Sequence, residues 1–300
     1  MVSDTDLGAG IAATISLPNP ELSGLWGAIR VPDAQKDRLL GQALLNFTLR
    51  PRVDRARLPL HGLILLVGPP GTGKTSLARG LASRTAESLK SPTSLTLLEV
   101  EPHSLANAGL GRSQQSVQRL LGQLIPERAA QGPLVLLLDE VETLAPDRRR
   151  LSLEANPIDV HRASDAVLAG LDRLAHHYPH LLILATSNFE EAVDDAFRSR
   201  ADLVEVVGLP DETTCRAILT DAVGELARHY PTVKRVMDEP DFNRCVTACV
   251  GLDGRQIRKL VVAACAANKT VALDASKLTA KELLQAAMLA SGARKRGWNL

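Results

Sequence analysis

Eight residues constrain this chain more than any others: Gly68-Pro69-Pro70-Gly71-Thr72-Gly73-Lys74-Thr75. They follow the apolar run Leu63-Ile64-Leu65-Leu66-Val67 and precede a helix-like stretch over residues 76–89. Strand, glycine-rich turn and helix in that order form the setting of a phosphate-binding loop. Glycines let backbone N–H groups converge on an anion without interference from a Cβ, and the following helix N-terminus adds partial positive charge. The candidate phosphate-binding residues are therefore Gly68, Pro69, Pro70, Gly71, Thr72, Gly73, Lys74, Thr75 and Ser76. Lys74 can reach the outer phosphates of a nucleotide, and the Thr75 hydroxyl can ligate Mg²⁺. ATP and Mg²⁺ are the expected cofactors.

Such a loop demands a sheet behind it, and the rest of the chain supplies one. Apolar runs at 63–67, 95–100, 134–138, 181–186 and 203–207 read as strands. Helical patterns lie between them at 76–89, 113–129, 160–176 and 190–197, and another precedes them at 32–49, with Leu39, Leu40, Leu44 and Leu45 as its apolar stripe. Near-continuous apolar strands separated by helices predict an α/β domain with a five-stranded parallel sheet covered on both faces. After Gly208-Leu209-Pro210 the strand signals stop, and 211–230, 241–250, 253–268 and 279–291 all read as helices. The expected organisation is a flexible segment at 1–17, a large nucleotide-binding domain at 18–210 and a small all-helical lid domain at 211–300.

Composition narrows the function further. With 35 Lys and Arg against 34 Asp and Glu, the net charge is +1, which gives no push toward nucleic acid. No apolar run approaches the roughly 20 residues needed to span a bilayer, and the acidic start, Asp4 and Asp6, does not resemble a signal peptide. Cys215, Cys245, Cys249 and Cys265 form no C-x-x-C pair and read as free thiols in a reducing compartment. These features predict a cytoplasmic protein that needs neither membrane nor nucleic acid. His176, His177 and His180 read as a solvated helix end and turn.

Two further strand ends and two arginines carry candidate chemistry. Leu134 to Leu138 lead into Asp139-Glu140, and ligands of open parallel sheets sit at the carboxyl ends of strands. Asp139 is placed to hold Mg²⁺ and Glu140 to polarise the attacking water, since phosphoryl transfer needs charge neutralisation and an in-line nucleophile. Asn188, closing Ala185-Thr186-Ser187-Asn188, is placed to bond the γ-phosphate or the lytic water. Arg200 reads as an arginine finger that stabilises transition-state charge, often from a neighbouring subunit; Arg198 reads as a surface charge. Arg255, in Gly251-Leu252-Asp253-Gly254-Arg255, is placed to reach the γ-phosphate within its own subunit.

Together these residues resemble an AAA+ ATPase, and more finely the pachytene-checkpoint and thyroid-receptor-interacting ATPases that remodel HORMA-domain proteins. The resemblance spans about residues 18–265. Leu25-Trp26 with Lys36, Leu39 and Leu40, the phosphate loop through Leu77, Asp139-Glu140-Val141-Glu142-Thr143-Leu144, Ala185-Thr186-Ser187-Asn188, Arg200-Ala201-Asp202 and Gly251-Leu252-Asp253-Gly254-Arg255-Gln256-Ile257-Arg258-Lys259-Leu260 carry it. It implies a homohexameric ring with nucleotide at subunit boundaries and pore loops that pull on a HORMA domain, so that its safety belt opens. The first pore loop is expected at 103–110, where the family usually has an aromatic near Gly109 and this chain offers Leu110; the second is expected at 147–156, with Arg148, Arg149 and Arg150. Too little chain precedes Leu17 for the substrate-docking domain of eukaryotic relatives. That resembles the compact bacterial branch found beside cGAS-like nucleotidyltransferases in antiphage defence (CBASS) operons. There the ATPase would take apart a HORMA–nucleotidyltransferase complex and damp signalling. Two other readings compete: a DNA-processing factor of the loader or initiator type, and a nucleotide-binding scaffold that turns over poorly.

Overall fold

The computed structural model describes residues 10–89, 94–100, 112–144, 157–189, 191 and 193–295. They fall into two compact units, one drawn from Met1–Gly68 with Lys74–Val207, the other from Pro69–Gly73 with Gly208–Leu300. The stretches expected to line a pore, 103–110 and 147–156, lie outside the described residues.

The first unit is built on a six-stranded sheet: β1 (Ile11–Leu17), β2 (Leu63–Val67), β3 (Leu95–Val100), β4 (Leu134–Leu138), β5 (Leu181–Ser187) and β6 (Leu203–Val206), in the order β1-β3-β4-β5-β2-β6. β2 to β6 run parallel, as expected. The sixth strand corrects the expected count and the expected flexible start. β1 pairs antiparallel with β3, Leu17 opposite Leu95 and Ile11 opposite Val100. It is an edge strand with only its ends fully buried.

The apolar runs are continuous because both faces of the sheet are covered. Leu63, Leu65 and Val67 join one core and Ile64 and Leu66 the other, the period-two alternation of a pleated strand. The helical stretch Arg112–Ala129, with a π turn at Leu120–Leu124, and the helix Pro157–His177 cover the first face through Leu120, Leu121, Ile125, Val167 and Leu171. Helices Asp33–Thr48 and Lys74–Leu89 cover the second through Leu39, Ala43, Leu77, Ala78 and Leu81. The inward face of Asp33–Thr48 is not the expected leucine stripe. Gln35, Leu39, Ala43 and Asn46 are buried, while Leu45 is exposed. The two polar residues are accommodated by bonds: Gln35 Nε2 donates to Val206 O at 2.9 Å, and Asn46 Oδ1 accepts from the buried Arg50 at 2.8 Å. The expected helix at 190–197 is also corrected. Asp194 caps a single turn, Asp195–Arg198, by accepting from Ala196 N.

A helix with no expected counterpart, Pro20–Ala28, is capped by Asn19, which accepts from Glu21 N and Leu22 N. Lys36 Nζ donates to Trp26 O at 2.6 Å and lies 5.4 Å from the Trp26 ring centroid. Burial pushes the Lys36 ammonium below its ordinary value. This helix crosses Lys74–Leu89 at Gly80, where a Cβ would fall 2.6 Å from Trp26 N. Gly80→Val therefore forces two backbones apart and is expected to cost about 1–3 kcal/mol. Gly41→Ala, at a helical site with nothing within 4 Å, is expected to raise stability by about 0.5–1 kcal/mol. Thermal melts of the two variants check the contrast; a Gly80→Val protein as stable as the wild type contradicts the packing.

The second unit is helical: Glu212–His229, Pro240–Cys249, Gly254–Cys265, Lys269–Leu273 and Ala280–Lys295 surround a core that includes Ile218, Val223, Phe242, Val246, Leu260 and Leu283. Asp211, Asp253 and Asn268 each accept a backbone N–H at a helix start, and Asp253 with Gln256 forms a full capping box. Cys215, Cys245 and Cys249 are buried free thiols, while Cys265, also free, is partly exposed. Among the described residues no helix is long and apolar enough to cross a membrane.

Candidate active site

The phosphate loop follows β2 directly. Gly68, Gly71 and Gly73 have φ of 148°, 81° and 93°, the last two in the left-handed region that costs glycine nothing. A Cβ on Gly68 would meet Val207 O at 2.1 Å. Residues 69–73 group with the helical unit: Arg255 N donates to Gly71 O at 3.3 Å, and a Cβ on Gly71 would sit 2.4 Å from the Asp253 carboxylate. Arg255 itself is exposed on the first turn of Gly254–Cys265.

Lys74 opens the helix after the loop. It is 5% exposed, and its Nζ donates to Gly68 O at 2.9 Å and Asn188 Oδ1 at 3.0 Å. Thr75 Oγ1 donates to Asp139 Oδ1 at 2.7 Å. A hydroxyl and a carboxylate brought to one point are hard oxygen donors of the kind Mg²⁺ takes, so the residues present fit that ion. Beyond the end of β4, Glu140 is the one non-glycine residue with positive φ among those described, at φ 53° and ψ 52°. Its Oε1 accepts from Asn188 Nδ2 at 2.9 Å. Asn188 N in turn donates to Glu142 Oε1 at 3.0 Å. Lys74, Thr75, Asp139, Glu140 and Asn188 thus converge where β2, β4 and β5 end. The crossover from β2 runs to β3 on one side and that from its neighbour β5 to β6 on the other, the switch point at which such sheets bind ligands.

Arg200 lies elsewhere. It precedes β6, and Asp202 accepts from His61 N, Gly62 N and Leu63 N at the start of β2. That is the amino edge of the sheet, a strand length of about 16 Å from the carboxyl edge where Lys74 and Asp139 meet. Asp172 grips Arg200 from two sides, Nε to Oδ1 at 2.8 Å and Nη2 to Oδ2 at 2.7 Å, and Ala196 O accepts from Nη1 at 2.6 Å. The pairing holds the guanidinium above its ordinary range and the Asp172 carboxyl below its own.

Sequence reasoning passed over Thr186, Glu142 and Asp172. Thr186 and Glu142 both stand inside stretches that carry the resemblance, 185–188 and 139–144, with no role of their own; Asp172 has no signal.

A phosphate loop after β2, acids at the end of β4, an amide at the end of β5 and a helical unit beyond define a P-loop ATPase of the AAA type. The profile of the ATPase family associated with various cellular activities (AAA) matches residues 64–209. Over 295 residues the chain is 53% identical to CD-NTase-associated protein 6 of Pseudomonas aeruginosa, covering 98% of this chain and 97% of that protein. It is 33% identical to a pachytene checkpoint protein 2 homologue of Oryza sativa, over 82% of this chain and 59% of that longer protein. A structure titled an E. coli HORMA:CdnC:Trip13 complex contains a chain of the same fold, with TM-score 0.75 and 19% identity over 96% of this chain and 97% of that one. The protein belongs to the AAA ATPase family, in the group of CD-NTase-associated protein 6 and the pachytene checkpoint protein 2 homologues.

Proposed function

We propose that this chain is an ATP-driven remodeller that partly unfolds a HORMA-domain protein and so takes apart its complex with a cGAS-like nucleotidyltransferase. The observation that carries this reading is the 53% identity, end to end, with a protein named for its association with such an enzyme. The fold shared with a chain of the HORMA:CdnC:Trip13 complex supports the client. The chain would act in the cytoplasm as a homohexamer and damp antiphage signalling; its free thiols fit a reducing compartment.

The residues fall into roles that the reaction needs. Bound Mg·ATP supplies the phosphoryl group and the cation that neutralises its charge. Residues 68–76 would cradle the phosphates, and Lys74, bonded here to Asn188 Oδ1, would reach the outer ones. Thr75 and Asp139, already bonded to each other, would hold the cation. Glu140 draws a proton from the attacking water, and Asn188, bonded to both Lys74 and Glu140, orients it. Arg255 reports the nucleotide to the helical unit. Arg200 serves a neighbouring subunit.

A purified HORMA–nucleotidyltransferase complex tests the function. With ATP, this protein is expected to release the enzyme from its HORMA partner on gel filtration and to reduce its synthesis of nucleotide messenger. A complex that survives ATP and an active ATPase intact would overturn the remodelling reading.

A further inference from the structure

We propose that Thr186 is a positioning residue of this site: one hydroxyl sets the Asp139 carboxylate and pins the Glu140 turn at the same time. The inference rests on the ATPase reading above and adds a residue to it.

Three observations carry it. Thr186 is 1% exposed and stands on β5 one residue past the last pairing with β4, Leu138 opposite Ala185. It therefore faces Asp139, the first residue beyond the β4 ladder. Its Oγ1 donates to Asp139 Oδ1, the oxygen that also accepts from Thr75. The same Oγ1 accepts from Glu140 N at 3.1 Å. A threonine hydroxyl has one hydrogen to give, and here it goes to the carboxylate while a lone pair takes the amide. Glu140 adopts a left-handed conformation that glutamate rarely takes, and such a conformation persists only where its surroundings over-determine it. Glu140 N lies past the end of the β4 ladder, and Thr186 supplies its acceptor. Thr186 thus bonds the Asp139 carboxylate and the Glu140 backbone, the two residues to which metal binding and water activation are given, 47 and 46 residues away in sequence.

Groups that orient metal ligands typically matter about ten- to a hundredfold in metal affinity or activity. Thr186→Val keeps the shape and removes the hydroxyl. It is expected to lower kcat and to weaken Mn²⁺ binding, read by electron paramagnetic resonance with a non-hydrolysable ATP analogue, each by about ten- to a hundredfold. Nucleotide affinity measured in EDTA is expected to stay at the wild-type value. Thr186→Ser is expected to restore most of both losses. If Thr186→Val does not fold, Thr186→Ser against Thr186→Ala makes the same comparison. Wild-type kcat and Mn²⁺ affinity without the hydroxyl overturn the proposal, as does a serine variant as defective as the variant that lacks it. Glu140→Gln separates the two levels. If it hydrolyses ATP normally, the active-site reading itself fails. If it is inactive while Thr186→Val is normal, only the role of Thr186 fails.

Discussion

Glu140→Gln is expected to stop ATP hydrolysis while leaving nucleotide bound. General-base catalysis contributes about 10²–10⁴-fold, or about 3–5 kcal/mol of barrier, and Glu140 is the carboxylate tied to Asn188 at the end of β4. The substitution keeps a side-chain oxygen for Asn188 Nδ2 to bond, so the turn should survive. It removes the charge and the basicity. Binding through residues 68–76 does not use that carboxylate, so affinity for a fluorescent ATP analogue should be nearly unchanged while phosphate release falls. Equal turnover in the variant and the wild type would contradict the assignment and favour a poorly hydrolysing scaffold.

The second large effect is at Arg200. An arginine finger is worth about 10³-fold or more in turnover, and its contact is made mainly in the transition state, so Arg200→Ala should lose kcat with little change in nucleotide affinity. The geometry adds a sharper expectation. Asp202 fixes this stretch to the start of β2, while the phosphate loop leaves the end of the same strand. Arg200 is therefore expected to serve the site of a neighbouring chain rather than its own. Lys74→Ala subunits carry an intact Arg200 but bind nucleotide poorly. Mixing them with Arg200→Ala subunits should restore part of the activity that neither has alone. Normal turnover in Arg200→Ala removes the finger; mixtures that stay inactive place it in cis. The Asp172–Arg200 pair is partly exposed, and such pairs add little stability, so a large fall in melting temperature is not expected.

Much of this architecture was legible because a parallel sheet buried on both faces leaves long apolar runs. Leu63–Val67 and Leu134–Leu138 are fully buried along their whole length. β1 was not legible for the opposite reason: Ile11–Leu17 pairs on one side only, and its middle is partly exposed. The Asp33–Thr48 face was misread because polar Gln35 and Asn46 point inward, Gln35 bonded to Val206 O far away in sequence and Asn46 to the buried Arg50 one helical turn on. Lys74 and Thr75 were legible inside the glycine-rich motif, and Asp139, Glu140 and Asn188 because each stands just past or at the end of an apolar strand. Thr186 and Asp172 act through contacts that only the sheet and the helix Pro157–His177 create. No spacing rule in one dimension announces them.

Calorimetry of Mg·ATP with the Glu140→Gln protein, which separates association from turnover, tests the central claim most directly. A saturable heat of binding that disappears in a Lys74→Ala variant is the expected result. No heat at millimolar nucleotide would contradict the phosphate site and the motor built on it.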